Sequence, residues 1–123
     1  MDKFKYFKIR EFLCPCCEDE NMDRETIKLL DEVRELSGIP IRINSGCRCK
    51  AYNKYIGGKE KSEHLFNETL KSTGVDISIR NSNERFLVTM ALVKVGFNRI
   101  GVGKNFIHAG TSKTLPQQVV WVY

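Results

Sequence analysis

"GVDISI", residues 74–79, is the stretch on which the fold turns. Val75, Ile77 and Ile79 lie on one side of an extended chain and Asp76 and Ser78 on the other, the period-two pattern of a half-buried strand. The carboxylate in its middle therefore points away from the core. Upstream, "IPIRIN" (39–44) alternates Ile41 and Ile43 with polar neighbours and predicts a second strand. "AYNKYIGG" (51–58) predicts a short helical turn closed by Gly57 and Gly58. Earlier still, Asp23 is placed to cap a helix in which Ile27, Leu30, Val33 and Leu36 recur at three-residue spacing. Leu29 widens that stripe, and Gly38 ends the helix. Downstream, Asn81 or Ser82 caps a second long helix carrying Phe86, Met90 and Val93 at helical spacing, with Gly96 as its stop. "RIGVG" (99–103), "NFIHAG" (105–110) and "VVWVY" (119–123) then predict three short strands. Helices and strands interspersed at these lengths imply an α+β fold, with helices packed on a small, mostly antiparallel sheet.

At 123 residues the chain has room for one core, so a single domain over 1–123 is expected. Hydrophobic residues at 41% and charged residues at 28% are ordinary globular usage. No apolar run is long enough for a membrane span, so no membrane partner is expected. The start, "MDKFKYFKIREF", has neither an apolar run nor a small-residue cleavage site, and does not read as a secretory signal. The net charge of +5 is spread along the chain. It favours polyanions in general, whether nucleic acid or an anionic cell wall, without choosing between them. "KFKYFK" (3–8) interleaves aromatic and basic residues, which suits either single-strand stacking or an N-terminal strand or arm with Phe4, Tyr6 and Phe7 partly packed. The packed arm is the simpler reading.

His64, Asp76 and His108 offer two imidazoles and one carboxylate, the number of protein ligands a catalytic zinc takes while keeping one position open. Asp76 leaves the apolar face of its strand, and His108 alternates with Ile107 on "NFIHAG". A rival pair is His64 with Glu68, four residues apart, which share a face only if that segment is helical.

The order "INSGCRCKAYNKYIGG", "SEH", "GVD", "FIH" and final "VVWVY" resembles the zinc D-Ala-D-Ala carboxypeptidase-like peptidases. These are relatives of phage cell-wall endopeptidases and of the Hedgehog signalling-domain fold. The resemblance runs from "FKIREFLCPCC" (7–17) to Tyr123. It implies zinc as cofactor, held by His64, Asp76 and His108. It further implies that Arg48 holds or polarises the substrate's carbonyl or carboxylate, a task its planar fork suits, and that Ser62 helps bind the peptide end. Asn53 and the glycine pair would shape the loop between them.

Three departures from the family pattern stand out. Eleven residues separate His64 from Asp76, more than the family's spacing, so the excess in "LFNETLKST" (65–73) must bulge away at small entropic cost. Within it Asn67 stands where the family has glycine, and is expected in the left-handed region. The position three before the last histidine, acidic in the family and serving as general base, is Asn105, and an amide cannot take the proton. Glu60, Glu63 and Glu68 are the candidates to replace it. Finally, the family's aspartate two residues after that histidine is Gly110, which removes a carboxylate that could orient a ligand imidazole.

Five cysteines fall into two groups, Cys14, Cys16 and Cys17 near the start and Cys47 and Cys49 around Arg48. They allow free thiols, a bridge between the groups, or a second, structural metal held by four thiolates. The resemblance implies a zinc-dependent peptidase that hydrolyses D-alanyl bonds of peptidoglycan. It would be monomeric, without a nucleic-acid partner, and carried by a phage virion or released to the bacterial wall. Two readings stand beside it: a zinc-binding wall-recognition module of the same fold with impaired hydrolysis, and a basic nucleic-acid-binding domain.

Overall fold

The computed structural model describes residues 3–123. A 3-10 turn, Ile9–Phe12, precedes helix α1, Arg24–Ser37. Then come β1 (Ile43–Ser45), α2 (Lys50–Tyr55), β2 (Gly74–Ser78), α3 (Ser82–Val95), β3 (Arg99–Val102), β4 (Phe106–Gly110) and β5 (Val119–Val122). The five strands form one sheet in the order β1-β2-β4-β3-β5. Three pairings are antiparallel, and β3 with β5 is parallel. The expected α+β class and mostly antiparallel sheet are found. None of the described helices is long and apolar enough to cross a membrane.

Local chemistry sets the helix ends. The Asp23 carboxylate accepts from the Thr26 N–H, and Gly38 closes α1 in the left-handed region at φ 73°. Asn81 caps α3 through the Glu84 N–H, and Gly96 ends it at φ 113°. In α1 the buried residues are Ile27, Leu30 and Val33, whereas Leu36 is half exposed. Steps of three residues fall short of a full turn by about 60°, so the fourth position has rotated to the far side. In α3 the expected stripe is corrected: Phe86, Met90 and Val93 are exposed, while Val88, Ala91 and Leu92 enter the core. Both stripes are apolar at helical spacing, and only the packing partner selects between them.

Strand β1 is shorter than "IPIRIN" suggests. Ile41 is buried ahead of it, and the pairing with β2 is irregular between Ile43 and Ser45. The N-terminal segment is an arm ending in the 3-10 turn. Phe7 and Phe12 are buried in the core, with Phe4 packed against it. The Arg34 guanidinium lies 4.8 Å over the Tyr6 ring, so the aromatic residues of "KFKYFK" are spent on packing.

On one face of the sheet, Val75, Ile77, Ile100, Ile107 and Ala109 join the residues of α1 and α3 in a single core. The other face carries a row that crosses all five strands: Ser45 pairs with Asp76, Asp76 with His108, His108 with Gly101, and Gly101 with Trp121. Register thus sets the polar residues of separate strands side by side.

Candidate metal centre

Asp76 and His108 are direct cross-strand neighbours, so their side chains leave the same face close together. His64 arrives from a loop. The loop is tied down where Arg48 N–H donates to His64 O at 2.7 Å and Phe66 N–H donates to Arg48 O at 3.1 Å. The two ends of the 45–66 stretch therefore pair with each other. The donor atoms of His64, Asp76 and His108 all lie within 4.8 Å of one another. His64 Nε2 is 3.3 Å and His108 Nδ1 3.0 Å from the same oxygen, Asp76 Oδ1. The rings stand edge to face at 5.0 Å.

The outer nitrogens determine what the inner ones offer. His64 Nδ1 lies 2.7 Å from the Gly46 carbonyl, which can only accept, so that nitrogen carries a proton. His108 Nε2 lies 2.8 Å from Glu63 Oε1 and likewise donates to a carboxylate. With each imidazole neutral, as a metal ligand must be, both inner nitrogens turn lone pairs toward the Asp76 carboxylate, three electron-rich atoms around one point; without an ion, a protonated ring instead donates to that carboxylate. That donor set fits a divalent cation of the zinc type. Burial opposes charge on both rings and lowers the pKa of His64. At His108 the carboxylates of Asp76 and Glu63 outweigh burial and raise it. Burial works against ionised Asp76 too, yet in the metal-free chain imidazole N–H groups that donate to it hold its carboxyl far below the usual range.

Glu63 is the residue that sequence reasoning left without a position. It is buried, accepts from the Ser112 N–H at 3.0 Å, and sits 2.9 Å from Arg99 Nε with that N–H poorly aligned to the oxygen. Its pKa is lowered because His108, Ser112 and Arg99 together outweigh burial. Its carboxylate lies where a side chain on Gly110 would project, and a Cβ on Gly74 would meet Glu63 Cβ at 2.6 Å and His108 Cε1 at 2.9 Å. With glycine at 110, the Glu63 carboxylate has room to reach the last histidine. Glycine at 110, two residues after His108, was the signal for it in the sequence.

Arg48 stands at the edge of the centre. Its Nη2 is 3.5 Å from Asp76 Oδ2, with Nε toward Ser45 Oγ at 3.4 Å and Nη1 toward Asn53 Oδ1 at 3.3 Å. Asn53 also donates to Lys59 O at 2.9 Å, and a side chain on Gly58 would collide with it. The loop is shaped as expected. Ser62 is half-buried, and its hydroxyl accepts from the His64 N–H at 3.1 Å, bracing the turn. Asn105 is exposed just ahead of β4. Its carbonyl accepts from the Ile79 N–H, and none of the hydrogen bonds to the two imidazoles among the described residues involves it. Trp121 lines the far side, 5.5 Å from His108 ring to ring, with the Arg99 guanidinium 5.0 Å over it.

Two loop expectations need correction. The His64–Glu68 segment is not helical and Glu68 is exposed, so that pair does not form a site. Asn67 is not among the described residues with positive φ. Instead its Oδ1 accepts from the Thr69 and Leu70 N–H groups at 2.9 and 2.7 Å, a side-chain turn that folds the excess residues outward. The excursion closes where Thr73 and Gly74 donate to Glu63 O, returning the chain to Asp76.

The cysteine groups do meet. Cys14, Cys16, Cys17 and Cys49 gather at one edge, whereas Cys47 is buried beside Met22. Burial pushes the Cys47 thiol up to about 11. At Cys14 burial is outweighed by backbone N–H groups of Cys49, Cys17 and Cys16, which bring it down to about 7.

A protein-family model described as peptidase M15 matches residues 5–110, which include all three donors of the centre. Among curated proteins, no match is found.

Proposed function

Since the chain belongs to the peptidase M15 family, we propose that it is a zinc-dependent peptidase that hydrolyses D-alanyl peptide bonds of bacterial peptidoglycan. The family carries the metallopeptidase class. The observation that supports a working centre here is the convergence of two imidazole lone pairs on the Asp76 carboxylate, with both outer nitrogens already held. The same reading assigns the fold to the Hedgehog/DD-peptidase type. It takes the stem peptide as partner of a monomeric chain and places the protein in a phage virion or at the bacterial wall.

His64, Asp76 and His108 would hold the metal. When bound, zinc supplies Lewis acidity that polarises a peptide carbonyl and makes water acidic enough to attack near neutral pH. Glu63 fixes the orientation of His108, and the Gly46 carbonyl does the same for His64. Arg48, kept at the rim by Asp76, Ser45 and Asn53, turns its guanidinium toward the substrate's carboxylate or carbonyl. Ser62 positions the His64 loop and the peptide end beside it. Trp121 and Tyr123, 6.2 Å apart ring to ring, form an apolar wall across from Arg48.

Asn105 supports a second reading. With an amide in the place of the usual acid, and with both Asp76 and Glu63 engaged by the imidazoles, the centre lacks the familiar proton acceptor, a part typically contributing about 10²- to 10⁴-fold in rate. The chain would then be a zinc-bearing wall-recognition module. Incubating zinc-loaded protein with muropeptides separates the two. Release of D-alanine or splitting of cross-links, lost in His108→Ala, is the result expected. Binding to sacculi without turnover under any divalent metal would favour the module.

A further inference from the structure

We propose that Cys14, Cys16, Cys17 and Cys49 hold a second zinc ion, a structural clamp between the N-terminal arm and the loop that carries Arg48. This site is separate from the His64 centre and does not depend on the peptidase reading.

The sequence "CPCC" contains a Cys-x-x-Cys pair, Cys14 and Cys17, the spacing that structural zinc sites use most. The fold makes that pair a knuckle. Glu18 N–H donates to Cys14 O at 2.8 Å and Cys14 N–H donates to Asp19 O at 2.8 Å. Glu18 takes φ 57°, reversing the chain so that both sulfurs face the same way. The third ligand comes from far along the chain: the sulfurs of Cys14, Cys17 and Cys49 all lie within 4.8 Å of one another. Cys16 Sγ is 3.8 Å from Cys49 Sγ. Thiolates about 2.3 Å from a tetrahedral zinc sit about 3.8 Å apart, so the three clustered sulfurs need little movement to close on an ion, and Cys16, which touches Cys49, would swing in as the fourth.

Backbone donors surround two of the sulfurs. Cys14 Sγ accepts from the Cys49 N–H at 3.4 Å and from the backbone N–H groups of Cys16 and Cys17. Cys49 Sγ accepts from the Tyr52 N–H at 3.4 Å. The odd count is also explained. Four cysteines converge, and the fifth, Cys47, sits buried by Met22 Sδ at 4.0 Å, outside the cluster.

The clamp has a mechanical consequence. Segments 12–14 and 47–49 run side by side, joined by Cys47 N–H to Phe12 O at 2.9 Å and by the Cys49 to Cys14 contact. Cys49 adjoins Arg48, whose backbone holds the His64 loop. A metal here would stiffen one wall of the peptidase centre without touching its chemistry, and each ion bound would displace thiol protons.

Elemental analysis of chain purified under reducing conditions without chelator is expected to give two zinc ions per molecule. His108→Ala should keep one and Cys17→Ser with Cys49→Ser should keep the other. Cobalt substituted into His108→Ala should show sulfur-to-cobalt charge-transfer absorption, a signature the His64 centre cannot produce. Because the cysteine variants can fail to fold, alkylation of the native chain serves as a second measure. Zinc should shield Cys14, Cys16, Cys17 and Cys49 from iodoacetamide, and chelation should expose them. Cobalt-loaded His108→Ala without the sulfur band, or identical labelling of those thiols with and without zinc, would overturn the site. A peptidase centre that fails to bind metal would leave the sulfur band unchanged, so the two readings fail separately.

Discussion

Glu63 illustrates how one side chain can reach a site in space that glycines elsewhere in the chain leave open. Glycine at 110 and at 74 leaves room beside His108, and the Glu63 carboxylate fills it, 2.8 Å from Nε2. A carboxylate there keeps the Nδ1 lone pair turned toward Asp76 and raises the ring's basicity as a ligand. Glu63→Gln removes the charge while preserving shape. Its zinc affinity at the His64 centre is expected to fall about 10- to 100-fold, the usual effect of such outer partners. Titration against a chelating dye reads this, in the cysteine-blocked chain so that only one centre reports. Gly110→Ala should produce a loss in the same direction, since its Cβ would displace the carboxylate. An affinity unchanged in both variants would remove Glu63 from the centre.

Among the elements, α3 is apolar on two sides. Val88, Ala91 and Leu92 are buried against α1 and the sheet, whereas Phe86, Met90 and Val93 lie along an open groove with Arg85 and Val102. Burial, not hydrophobicity, determines what a residue contributes to stability. Leu92→Ala is expected to cost about 2–5 kcal/mol through lost transfer energy and the cavity left behind. Phe86→Ser, although it removes a larger apolar group, should stay within about 0.5 kcal/mol. Urea unfolding of the two variants measures the contrast, and a large loss for Phe86→Ser would place that face against something. The α1 cap is equally local: Asp23 accepts from both the N–H and the hydroxyl of Thr26.

For the molecule as a whole, the proposed zinc reading implies that folding is coupled to the ion His64, Asp76 and His108 would hold. Zinc that binds only the folded chain adds about 2.7 kcal/mol at a hundred times its dissociation constant. Chelation is therefore expected to lower the melting temperature and zinc to restore it, with His64→Ala losing the part due to this centre. A melting curve indifferent to zinc and chelator would contradict it. The sequence by itself determined the strands and helices and the outward direction of Asp76 and His108, because the periods of two and 3.6 and the caps at Asp23, Asn81, Gly38 and Gly96 are local properties. Shared face and order also pointed to His64, Asp76 and His108. The tertiary structure alone decided that Asp76 stands opposite His108 in register, that the Glu63 carboxylate fills the space beside Gly110 and reaches His108, which stripe of α3 is buried, and that four sulfurs gather while a fifth is sealed away. Each of these depends on what lies across a gap from the residue. Such partners are chosen by sheet register and core packing over separations of tens of residues, which a local pattern does not encode.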